Sequence, residues 1–164
     1  MPTTAPTTHA PADDRRTRWL TAAEMAAWLP LLRMVQLLPQ ALDKQLREQT
    51  GINHVYYTLL AVLSARPGHR LPLTELAGAA AMSQSRASHA VTSLQERGLV
   101  ERRPCRTDRR VQYVELTDEG AALLDAYAPG HVAEVRRLVF DRLDPQDVDD
   151  LRRIATKVLA TLDG

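Results

Sequence analysis

Seven arginines fall between positions 83 and 110, at 86, 97, 102, 103, 106, 109 and 110, against Glu96, Glu101 and Asp108, a net charge of +4. A guanidinium is a permanently charged planar fork that fits phosphate oxygens and the acceptor edge of guanine, so this stretch suggests binding to duplex nucleic acid. Interleaved with the arginines are Ser83, Gln84, Ser85, Ser88 and His89. A Gln amide can make a two-point bond to adenine, and hydroxyls beside free backbone N–H groups suit phosphate. Other chemistry finds little support in residue type. Ser83 and Ser85 have no His and carboxylate patterned around them as a hydrolase requires, and no phosphate-cradling loop is visible. Cys105 is the only cysteine and no Cys/His set has zinc spacing, so no metal, cofactor or enzymatic activity is expected.

The arginine-rich stretch needs elements to present it. Ser83 is placed to cap a helix that Gly98 closes, with Ala87, Ala90, Val91 and Leu94 spaced three and four apart on its inner side. Gln84, Ser85, Arg86, Ser88 and His89 then face outward near its N-terminal end. A period of two follows: residues 99–103 and 111–116 read as strands around the polar turn 104–110. Pro72 fits the first turn of a short helix reaching about residue 81. Short helix, tight turn, capped helix and arginine-tipped hairpin together make a winged helix-turn-helix. In that arrangement the second helix meets base edges in the major groove, and an arginine at the hairpin tip can enter the minor groove.

The flanking segments are helical too. Thr21-Ala-Ala-Glu24 is a capping box, followed by an apolar stripe of Leu31, Met34, Val35, Leu38, Leu42 and Leu46. Pro30 and Pro39 lie inside that stripe and predict a kink or a split. Asn53 can cap a second helix running to about residue 66. Thr117 can cap a long one, with a bend expected at Pro129-Gly130. Asp144-Pro145 starts the last, with Val148, Leu151, Ile154, Val158, Leu159 and Leu162 along one side. With one Phe, two Trp and four Tyr among 164 residues, the composition disfavours an all-β fold, and the fold class expected is α+β, predominantly helical. Residues 1–16 read as a disordered tail and 17–164 as one domain. Net charge is only +1 overall, because residues 115–164 carry −5, which predicts one nucleic-acid face and another turned away from it. No apolar run approaches the roughly 20 residues that span a bilayer and no signal peptide is evident, so no membrane partner and a cytoplasmic location are expected.

Leu76-Ala77, Met82-Ser-Gln-Ser85, Leu94-Gln-Glu-Arg-Gly-Leu-Val-Glu-Arg-Arg103, Asp108-Arg-Arg110 and Leu116-Thr-Asp-Glu-Gly120 together resemble the MarR family of bacterial transcription regulators, most closely between positions 73 and 120. The resemblance implies double-stranded DNA as partner and a homodimer formed through the first and last helices, residues 20–50 and 118–163, around a DNA-binding region at 53–117. It maps the family's wing pattern Asp-x-Arg onto Asp108 and Arg110, making Arg110 the minor-groove arginine and Asp108 the residue that orients it. Arg103, Arg106 and Arg109 join the DNA-binding set. The resemblance further implies a repressor, released by a small anionic or phenolic effector held between the dimer helices and the DNA-binding lobe. His89 stands where many relatives carry Arg, so base preference does not transfer from any of them.

Trp28, Arg33, His54 and Tyr57 are candidates for lining such an effector cleft; ordinary packing is the competing reading. Cys105, flanked by arginines that would lower its pKa, is open to a thiol-sensor role or to an incidental one. Activation or anti-repression in place of repression, and a winged-helix module that binds protein, are the rival functions. The second would favour an acidic or apolar recognition helix and a short uncharged wing, and neither is present.

Overall fold

The helix starts are set locally, by side chains that satisfy backbone N–H groups the helix itself leaves free. Asn53 Oδ1 accepts from the Tyr56 N–H at 2.8 Å, Ser83 Oγ from Arg86 N–H at 3.3 Å and Thr117 Oγ1 from Gly120 N–H at 3.0 Å. The Thr21–Glu24 capping box forms in both directions, at 3.2 and 2.7 Å. Asp144 and Asp147 cap the last helix reciprocally, at 2.8 and 3.1 Å. In this computed structural model, which describes residues 17–105 and 111–162, the element order is α1 (Ala22–Thr50), α2 (His54–Ser64), β1 (Arg70–Pro72), α3 (Leu73–Ala79), α4 (Gln84–Glu96), β2 (Val100–Pro104), β3 (Gln112–Leu116), α5 (Asp118–Leu138) and α6 (Pro145–Leu162). The residues expected to form a disordered tail lie outside the described set.

The chain divides into two compact units, Met1–Val35 and Gln36–Gly164, the boundary falling inside α1. The first contains the capping box and the N-terminal half of α1, whose Met25, Trp28, Leu29, Met34 and Val35 are exposed. The helix runs through Pro30 and Pro39 without a break, so the predicted split does not occur. Each proline removes one ladder donor, and the remaining bonds of a 29-residue helix carry the chain past it.

The second unit holds the winged helix-turn-helix. The three strands form an antiparallel sheet in the order β1-β3-β2, with Leu71 opposite Val114 and Val100 opposite Leu116. Its core gathers Leu46, Ile52, Leu59, Leu60, Leu63, Leu76, Val91, Leu94, Val100 and Val114, all fully buried. Each buried leucine stabilises the fold by about 2 kcal/mol. β1 was not anticipated: Pro72, expected in the first turn of α3, instead ends this three-residue strand and precedes the helix. α5 passes through Pro129 as a single helix.

Two backbone reversals frame α4. After α3, Ala81 takes a left-handed conformation (φ 50°), with Ala81 N–H bonding Gly78 O and Met82 N–H bonding Ala77 O, both at 3.0 Å. This is a Schellman cap with alanine at the position glycine usually fills. After α4, Gly98 (φ 72°) makes the same cap, with bonds to Gln95 O and from Leu99 N–H to Leu94 O.

Candidate nucleic-acid interface

α4 is held as a recognition helix would need to be. Ala87, Ala90, Val91 and Leu94 are buried along its inner ridge, while Ser83, Gln84, Ser85, Arg86 and His89 are exposed around its N-terminal end. The free N–H groups and positive dipole end of the helix lie at this same end, where phosphate or base acceptors would gain most. Ser88 is half-buried, and both its carbonyl and its hydroxyl face the side chain of Arg102, at 2.8 and 3.3 Å. At the other end of α4, the Arg97 guanidinium donates to Gly51 O at 3.2 Å and lies 5.9 Å from the Tyr56 ring centroid.

The hairpin stem is equally well defined. β2 and β3 pair from Val100↔Leu116 to Pro104↔Gln112, and Cys105 N–H bonds Val111 O at 2.9 Å. Cys105 is half-buried at the top of this stem. Arg106, Asp108, Arg109 and Arg110 lie outside the described residues. Arg103 lies on β2, its Nε 3.2 Å from the Glu115 carboxylate and its terminal nitrogen paired with Glu101. Glu101 and Glu115 are direct cross-strand partners, so Arg103 offsets a repulsion that two facing carboxylates would otherwise have. Its side chain remains 63% exposed, which leaves room for a further acceptor.

The base of the wing is locked to α5. A Cβ on Gly120 would sit 2.2 Å from Leu99 O and 2.7 Å from Leu116 Cδ1, an approach only glycine permits. Thr117, besides capping α5, donates to Gly98 O at 2.7 Å.

Beside α4 opens a cleft of about 590 Å³, lined by residues of α1 that include Lys44 and Arg47, by His54 and Val55 of α2, and by Arg86. Asp43 joins its walls: its carboxylate accepts from Arg47 Nε at 2.6 Å and from the His54 backbone N–H at 2.9 Å. These bonds, the Arg47 one first, hold the Asp43 carboxyl below its ordinary pKa. Burial pulls the His54 imidazole below its usual value, with Asp43 opposing, and pushes the Tyr57 phenol up. Tyr57 is buried against His131 of α5, whose imidazole is also lowered by burial and then by nearby His54. Of the four effector candidates, His54 thus lines this cleft, Tyr57 belongs to the core, and Trp28 and Arg33 are exposed in the first unit.

Sequence reasoning overlooked Arg102 and His131 as placed side chains. Arg102 had a usable signal: it is two residues after the buried Val100, and alternate residues of a strand share a face, so an arginine was being sent inward. His131 had none, because its neighbours come from α1 and α2, at least 70 residues earlier in the chain.

Residues 50–111 match the sequence profile of the MarR family. The transcriptional repressor MprA of Escherichia coli K12 is 30% identical over 132 residues, spanning 80% of this chain and 74% of that protein. Among solved structures, Sco3205 of Streptomyces coelicolor, a MarR family transcriptional regulator in complex with DNA, is 44% identical with a TM-score of 0.88, over 92% of this chain and 94% of that one. AbsC of the same organism, also a MarR family regulator, is 37% identical with a TM-score of 0.84, over 89% and 98%. These relatives are transcription regulators rather than enzymes. By these matches the chain belongs to the MarR family and is a DNA-binding transcriptional regulator.

Proposed function

We propose that the protein is a homodimeric repressor that binds a pseudo-palindromic operator and is released from it by a small anionic or phenolic effector. The observation that carries the reading is the exposed N-terminal end of α4, where Gln84, Ser85, Arg86 and His89 are exposed while Ala87, Ala90, Val91 and Leu94 pack the helix into the core. Ser83 and Ser88 are further members of the set, as are Arg103 of β2 and, by sequence, Arg106, Asp108, Arg109 and Arg110. In this reading Gln84 and Arg86 bond base edges, the serines and the helix end bind phosphates, and Arg110, oriented by Asp108, enters the minor groove. Repression follows from occupying a promoter, as the name of the MprA relative suggests.

Dimerisation is supported by apolar surface that a lone chain leaves in water. On α6, in the second unit, Ile154, Val158, Leu159 and Leu162 are exposed, Leu162 by 73%; in the first unit, taken by itself, Met25, Trp28 and Leu29 of α1 are exposed too. Monomers rarely leave large contiguous apolar patches exposed, and a two-fold pairing of these helices would cover them. The effector part rests on the cleft that Lys44, Arg47 and His54 share with Arg86. An anion held there would compete with DNA for Arg86 and shift the population toward the released form. Sedimentation of the protein with and without an operator duplex tests the reading. Two chains per duplex and a stable dimer in its absence are expected, and a monomer bound at one half-site contradicts it. Among the described residues, no helix is long and apolar enough to cross a membrane.

A further inference from the structure

We infer that Arg102 is a positioning residue for DNA recognition, coupling the recognition helix to the wing without touching DNA itself. The inference rests on the reading that α4 and the hairpin are the two elements that meet DNA. Arg102 lies in the middle of β2, opposite Val114, four residues before the arginines of the hairpin turn. Its terminal nitrogen donates to Ser88 O at 2.8 Å and to Thr92 Oγ1 at 3.0 Å, with Ser88 Oγ at 3.3 Å. Thr92 Oγ1 itself donates to Ser88 O at 3.1 Å, closing a ring of three polar groups under one turn of the recognition helix. Bonds from an ionised donor are stronger and more directional than neutral ones, so they fix an angle where an apolar surface would let the elements slide.

The arrangement has a cost that packing alone does not explain. Arg102 Nε is buried with no hydrogen-bond partner, so part of a charged group is desolvated without compensation. An apolar side chain opposite the buried Val114 would fill the same space without that loss. What the arginine adds is a fixed relation between the helix that carries Gln84 and Arg86 and the strand that leads to Arg106, Arg109 and Arg110. Two DNA-binding elements held rigidly act as one divalent unit, the second engaging at high effective concentration once the first is seated.

The test measures DNA affinity of the full-length protein on a duplex from its own upstream intergenic region and on an unrelated duplex, over a range of salt. For Arg102→Met we expect affinity for the upstream duplex to fall about tenfold or more. Affinity for the unrelated duplex should change little, and the dependence on salt should keep its slope, because every phosphate-binding group remains in place. Arg102→Lys, which keeps one charged donor, should recover part of the affinity. Thr92→Val should reproduce part of the fall, and adding it to Arg102→Met should weaken binding no further. Unchanged discrimination in both Arg102→Met and Thr92→Val overturns the proposal. So does a salt slope reduced by about one per chain in Arg102→Met, which would make Arg102 a phosphate-binding residue. Should Arg102→Met fail to fold, Thr92→Val decides: reduced discrimination supports the coupling and wild-type discrimination overturns it. If Gln84→Ala and Arg110→Ala also bind like the wild type, the fault lies in the underlying reading of helix and wing.

Discussion

The Tyr57 ring packs against the His131 imidazole with centroids 4.5 Å apart and planes tilted by 50°, joining α2 to α5. His54 lies 6.0 Å from the same imidazole, and Gln45 of α1 faces it at 3.4 Å. Two half-buried histidines therefore share a junction of three helices, where a second positive charge is disfavoured both by desolvation and by the first.

Acid should loosen this junction. Burial first, and for His131 also the neighbouring His54, lowers both imidazoles below 6.5 in the folded protein. Between those lowered values and 6.5 the unfolded chain binds more protons than the folded one, so stability rises with pH and is lost as pH falls below about 6.5. Asp43, lowered by Arg47 and by the His54 N–H, adds a loss in the same direction only below its ordinary 3.8. Thermal melts at pH 7.5 and 5.5 should show a lower midpoint in acid, and His131→Gln should shrink the difference. Equal midpoints in the wild type would contradict the assignment.

Gly120→Ala should destabilise the protein by about 3 kcal/mol or more, because the new methyl would meet the Leu99 carbonyl oxygen, a backbone atom that cannot swing away. Chemical denaturation measures the effect. A change within about 0.5 kcal/mol would mean that the hairpin base is far more yielding than its geometry implies.

Thr117→Ala removes both the cap of α5 and the donor to Gly98 O, and a loss of about 1–2 kcal/mol is expected. Thr117→Ser keeps both bonds and should retain most of the stability. A serine variant as unstable as the alanine one would assign the effect to the missing methyl group.

Exchange of Gln84 or Arg86 should alter base preference at particular positions, by about 1–3 kcal/mol for each two-point hydrogen-bonded pair removed. Arg110→Ala should instead weaken binding across sequences. Competition assays on single-base variants of the bound site separate the two behaviours. Identical preferences in all three proteins would move base readout away from α4.

The parts that were legible in the sequence are those with local causes. Asn53, Ser83 and Thr117 cap their helices with bonds that reach three residues, and the ridge of Ala87, Ala90, Val91 and Leu94 follows from helical period alone. The predicted exposed residues of α4 follow from the same period, with Ser88 turned partly inward toward Arg102. What was not legible depends on distant partners. β1 exists because Leu71 pairs with Val114, 43 residues away, and three residues ending in proline carry no period of their own. α3 ends at Ala79, short of the residue 81 that the sequence suggests, and the reversal is made by Ala81, where no glycine marks it. Pro30 and Pro39 predict a kink or a split, and the split is absent: local rules count the missing donor and not the length of helix on either side.

Selection of bound sites from random duplexes by the wild-type protein tests most directly whether two copies of α4 read one operator. The expected result is an enriched inverted repeat with half-site centres about 10 bp apart, matching two recognition helices in successive major grooves. A single unrepeated motif, or no enrichment over random duplex, would contradict it.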